Sequence, residues 1–274
     1  NSVRIGVRGA TVAGGGARSG DSEPSGLFGE GPNRVTSHYA TVSGGYNNVA
    51  GDENQPPATG AFATIGGGLG NRATVSFSTI AGGLANETTA DSASVGGGSV
   101  NVAAANFATV AGGTGNRAMA GRSTVVGGDG NAAAGEAATV GGGGFNCAGA
   151  ALSWAGGARA KVRPDAQSGS IIASACEGVP LAPGPNGDQG TFAWADAGNT
   201  DFISNGSGRF LVRASGGLVM QKQIAAETSA RQPRGYFNVV QADSGLAQPA
   251  TPRADTVASF ESDTDAFLRI LAPS

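Results

Sequence analysis

The chain has 274 residues, 49 of them Gly but only 12 Pro, with 14% charged residues and a net charge of −3. High Gly without Pro excludes a collagen-like or Pro-rich disordered chain, and the small negative charge gives no electrostatic reason to bind nucleic acid. No apolar run is long enough for a membrane-spanning helix, so direct membrane insertion is not expected.

Residues 1–11 alternate Val3, Ile5 and Val7 and read as a first strand that begins or caps the fold. Residues 14–37 then break any pattern with DSEPSG and GEGPN and carry Asp21, Glu23 and Glu30. They read as a long surface loop, either a simple insertion or a receptor-contacting or chain-swapping element.

From Thr41 the chain repeats. A Thr or Ser marker recurs at Thr64, Thr79, Ser94, Thr109, Thr124 and Thr139, in steps of 15 residues. The step from Thr41 to Thr64 is lengthened by the insertion GDENQPPATG at 51–60, which carries Asp52 and Glu53. The last step, to Ser153, reads as one residue shorter. After each marker comes an apolar residue (Val42, Ile65, Ile80, Val95, Val110, Val125, Val140, Trp154) and then a Gly pair. Asn follows at Asn48, Asn71, Asn86, Asn101, Asn116, Asn131 and Asn146, and two residues later a small side chain.

A helix cannot carry at least two Gly per repeat, each costing about 1 kcal/mol relative to Ala. Short strands with Gly corners can, because Gly supplies the positive φ of a tight corner and Asn tolerates it next best. The pattern predicts an all-β solenoid, one 15-residue coil per repeat, with each strand paired to its equivalent in the next coil. Seven coils at about 4.8 Å would span about 34 Å, and the stacked Asn residues would form a structural ladder. Strand alternation puts a second column, Tyr39, Phe62, Phe77, Ser92, Phe107, Arg122, Ala137 and Leu152, on the face opposite the apolar one. Either a bend turns it inward, or Tyr39, Phe62, Phe77, Phe107 and Leu152 form a contact stripe for a partner chain.

Beyond the repeat, 164–189 reads as a Pro-rich connector. Residues 190–220 regain alternation as three short strands, 221–254 read as a polar linker with a short strand at 236–241, and 255–274 as a terminal hairpin.

The units SASVGGGSVNVAAANFATVAGG and STIAGGLANETTADSASVGGG, with NSVRIG at the amino terminus, resemble the head repeats of YadA-like trimeric autotransporter adhesins. Followed by GTFAWADAGNTDFISNGSGRFLVRASGG, they also look like bacterial secreted fibres and phage tail-fibre proteins. The resemblance implies a left-handed parallel β-roll over 1–163 and three chains around one axis. It also implies that 190–220 closes the trimeric head, with Trp194, Phe202 and Phe210 in its core. No barrel anchor, coiled-coil stalk or chaperone domain is visible in the sequence. In a secreted chain the two cysteines, Cys147 and Cys176, read as a disulfide; two unpaired small core residues are the alternative.

Little in the sequence speaks for chemistry. His38 is the only histidine and sits at the edge of the repeats as a solvated side chain. Asp91, Asp129 and Glu136 fall in different columns, so no paired acid and base recur. GGGLGN and GGGSVN mimic phosphate loops but lack a following Gly-Lys-Ser/Thr and a helix. One Thr per coil is half of what ice-binding solenoids present. Neither a cofactor nor a metal is expected.

The expected function is a non-enzymatic extracellular fibre or adhesin subunit, homotrimeric, which presents its loops (Asp21, Glu23, Glu30, Asp52, Glu53) to an unknown surface receptor or glycan. A phage tail fibre, a filament assembled head to tail, and a carbohydrate-processing solenoid enzyme are the alternatives.

Overall fold

The computed structural model describes residues 1–15, 31–165 and 175–215. The acids Asp21, Glu23 and Glu30, the linker 221–254 and the hairpin 255–274 lie outside the described residues.

Every described element is a strand, and the strands fall into two parallel sheets of eleven each. The order alternates, so each coil gives one strand to each sheet: Thr79–Ile80 to one, Glu87–Thr88 to the other. Register is set by the 15-residue step. Ser94 pairs with Thr79 on one side and Thr109 on the other, and Val95 with Ile80 and Val110. A third ladder of single bridges links Tyr46, Leu69, Leu84, Ser99, Thr114, Asp129 and Gly144. The described residues thus form a parallel β-solenoid. Eleven strands per sheet make ten steps, a column about 48 Å long at about 4.8 Å per step.

Most strands have two residues because the coil turns so often. In the coil around Thr79, Phe77 (φ 58), Gly83 (φ 96) and Ala85 (φ 52) are all left-handed, and equivalent positions in neighbouring coils repeat this. These corners join three short legs, which is why Gly is tolerated in every turn. Between the legs lies a thin core. Val42, Ile65, Ile80, Val95, Val110, Val125 and Val140 are buried from one sheet, facing small residues such as Ala50, Ala73, Ala103 and Ala118 from the other. Thr88 interrupts that small column, and its buried hydroxyl has no hydrogen-bond partner.

Four expectations about chain segments are corrected. First, the Val3/Ile5/Val7 alternation is not one strand. Only Ser2–Val3 pairs, and Ile5 is 98% exposed. Second, the loop read at 14–37 is too long. Asn33 lies on the Asn column and Arg34–Val35 pairs with Ser2–Val3 and Val49–Ala50, so a coil begins before Thr41. Third, the final repeat is offset by one. Trp154, not Ser153, pairs with Thr139, and the missing residue falls later, where Gly143 meets Gly157. Fourth, the three short strands read over 190–220 do not form a module separate from the coils. Phe192–Ala195 pairs in parallel with Trp154–Ala158 and with Phe210–Arg213, so these strands extend the same sheets.

Candidate functional surfaces

The Asn column is internal. Asn48, Asn71, Asn86, Asn101, Asn116, Asn131 and Asn146 are all fully buried, and so is Asn33. Each side chain is tied in three directions. For Asn101, Nδ2 donates to Gly97 O (2.9 Å) and Gly113 O (2.8 Å), and Oδ1 accepts from the Asn116 backbone N (2.9 Å). The ladder ends where Asn146 Oδ1 accepts from Ala160 N, 2.9 Å. The column braces the coil from inside, chiefly through bonds to backbone groups. Asn33 escaped the sequence reading because residues 16–30 separate it from the marker Thr11.

The column Tyr39, Phe62, Phe77, Phe107, Leu152 does not sit on a strand face. Each residue has positive φ and occupies a corner just before the strand, because two-residue strands end alternation at the turn. The corner turns the side chains outward. Phe77 and Phe107 are 60% and 61% exposed. Tyr39, Phe62 and Phe77 form a stack with centroids 5.1 and 5.2 Å apart and planes within 11°.

A second aromatic ladder lies on the outward face of the Thr sheet. Trp154, Phe192 and Phe210 take the marker position in successive coils and stack at 4.4 and 4.7 Å. Phe210 is 72% exposed and Trp194 36%, and Phe202 is half-buried. Within this chain Trp194 and Phe210 lie outside the core, which is filled by Ala193 and Ala195, while Phe202, like Leu211, packs partly buried against it. Counting 15 from Thr139 reaches Trp154, the first rung, but Phe192 and Phe210 follow at steps of 38 and 18 residues, so the period does not announce the ladder.

The insertion at 51–60 folds against the first coils. Asp52 accepts from Asn54 N (2.9 Å), Glu53 pairs with Arg34 (2.7 Å), Arg4 donates to Gln55 O (2.7 Å) and Ser37 to Thr59 O (2.6 Å). Asp52 and Glu53 thus hold local structure. His38 is half-buried and tied down, its Nδ1 accepting from Arg8 N at 3.0 Å.

Cys147 and Cys176 form a disulfide. Cys147 lies on a buried strand next to Lys161, whose Nζ donates to Phe145 O (2.7 Å) and Ala175 O (2.6 Å). Burial holds the Lys161 amine below its ordinary pKa, against the opposing charge of Asp201. The bridge places the chain in a non-reducing environment. No helix among the described residues is long and apolar enough to cross a membrane.

Arg163 grips the buried Asp188 with two bonds (2.8 and 3.1 Å), and the Ser204 hydroxyl donates to the same carboxylate. Burial alone would raise the Asp188 pKa; the bonds from Arg163 and Ser204 and the guanidinium charge outweigh it and hold it low. A depressed carboxyl contributes stability above its unfolded pKa and loses it as pH falls through the folded one. Stability is therefore expected to drop below the ordinary carboxylate range near about pH 4. Asp188→Asn should lower stability at neutral pH and flatten that acid limb in urea unfolding followed by circular dichroism. An unchanged limb would refute this.

No protein-family model matches the chain, and no curated protein matches it either.

Proposed function

We propose that the chain is a non-enzymatic extracellular fibre subunit, a homotrimer of parallel β-rolls that attaches its bearer to a surface. The observation that carries this reading is the outward face of the Thr sheet. It is in register from Thr11 to Thr139, shifts by one residue only between Val140 and Gly143, and is lined by exposed small residues such as Gly66, Ala81, Gly96 and Ala111. At its carboxyl end it becomes aromatic, with Trp154, Phe192, Trp194 and Phe210. Small residues let flat backbones approach closely, and an exposed aromatic patch of this kind marks a contact site. The resemblance to YadA-like heads supports the left-handed trimer and the closing role of this block.

An axis parallel to the stack brings every residue opposite its own copies. The corner column would then gather three Arg122 guanidiniums, each ion-paired only with Glu136 of its own chain. The Thr face gathers hydroxyls, methyl groups and rings, and is the better shared face. Multivalent presentation of three identical outer surfaces then turns weak contacts into firm attachment.

Light scattering of the purified full chain is expected to give a mass of three chains. Trp194→Ala combined with Phe210→Ala should give one, with the circular-dichroism spectrum kept because both side chains lie outside the core. A monomeric wild type would sink the reading, and a double variant that stays trimeric would remove the Thr face as the contact.

A further inference from the structure

The corner column carries a gap. Tyr39, Phe62 and Phe77 stack one ring per coil, the next coil has Ser92, and the one after has Phe107. Ser92 has φ 57, the same corner conformation as Phe77 (φ 58) and Phe107 (φ 61). The corners are tied along the stack by Phe77 N to Ala61 O (3.0 Å), Ser92 N to Ser76 O (3.1 Å) and Phe107 N to Asp91 O (3.1 Å). The backbone thus runs on without a break, and what is missing is one ring. Two coil steps place Phe107 about 10 Å beyond Phe77. A flat ring seated midway lies about 5 Å from each, within the range over which ring faces attract. Phe77 already uses its other face on Phe62, with planes 7° apart.

We infer that this slot seats a pyranose ring, its two faces against Phe77 and Phe107 and one edge over Ser92. The inference rests on the proposed attachment role and names the ligand class. The flanking column favours a sugar over a bare aromatic ring. Ser76, Asp91 and Asn106 stand one residue before the three corner residues, and Asp91 and Asn106 are exposed. Hydroxyl, carboxylate and amide groups therefore border an apolar slot, a combination suited to a ring whose faces are C–H and whose rim is O–H. Contact on both faces requires a pyranose without axial hydroxyls. The slot thus selects glucose-type sugars over galacto- or manno-configured ones, whose axial hydroxyl would meet a phenyl face.

The test titrates the full-length trimer with cellotetraose and with mannotetraose by calorimetry. Cellotetraose is expected to bind at least tenfold more tightly. Ser92→Phe fills the slot with a ring that the same corner already accepts at three other coils. It should keep the fold and abolish binding; Phe107→Ala should weaken binding at least tenfold. Equal binding of the two sugars, undiminished binding by Ser92→Phe, or no cellotetraose binding at millimolar concentration would each overturn the proposal. The masses of wild type and Ser92→Phe are measured in parallel. A wild-type trimer that binds no sugar removes the slot and leaves the fibre reading intact. A monomeric wild type removes the fibre reading. Loss of trimers on Ser92→Phe alone would make the column a chain contact and refute the slot.

Discussion

Gly113→Ala is expected to destabilise the roll by about 4 kcal/mol or more, enough to stand out among single substitutions. Gly113 is a corner residue at φ +87, and a Cβ there would lie 2.2 Å from Gly128 O, 2.6 Å from Asn116 Nδ2 and 2.8 Å from Gly128 N. Two of those atoms are backbone of the next coil, and the third is a rung of the Asn ladder, so nothing can move aside. The neighbouring Gly112 is the control. Its conformation is ordinary, and a Cβ there meets nothing within 4 Å. Gly112→Ala should change stability by less than about 1 kcal/mol. Urea unfolding of the two variants side by side decides the matter. Equal effects would mean that the corner is not as tight as described.

Asn101→Ala is expected to cost about 2–4 kcal/mol, because it strands one carbonyl and one N–H in a fully buried site. The orphans are Gly97 O and Asn116 N, while Gly113 O keeps its bond from Ser99 N (2.9 Å). Asn101→Asp should be at least as damaging, since a carboxylate has no N–H for the two carbonyls and would be buried unpaired. Thermal unfolding of both variants checks this. A loss below about 1 kcal/mol in Asn101→Ala would mean that water replaces the amide without penalty.

The 15-residue spacing was enough to read the coils, the buried apolar column and the Asn ladder, because every coil meets the same steric demand at the same position. What escaped lies where that logic weakens. Thr11 and Asn33 belong to one coil but are separated by an insertion, so the period cannot be counted across them. Ser153 resembles the marker chemically, yet the backbone pairs Trp154 with Thr139. Phe77 and Thr79 cannot alternate across a strand that starts only at Thr79, so the column became a corner rather than a face. The clasp of Arg163, Asp188 and Ser204 joins residues up to 41 apart in no repeat at all, and nothing local announces it.

An internal ladder that is the same on every rung cannot tell one rung from another. A chain closing one rung too early would keep most of its hydrogen bonds and bury nearly the same side chains, so a slipped ladder is a plausible folding trap in energy terms. Among the described residues, the irregular parts carry an address: the 51–60 insertion seated on Arg4, Ser37 and His38, the short coil at Gly143 and Gly157, and the Cys147–Cys176 bridge. They index the coils, as notches index a ruler whose divisions are otherwise alike.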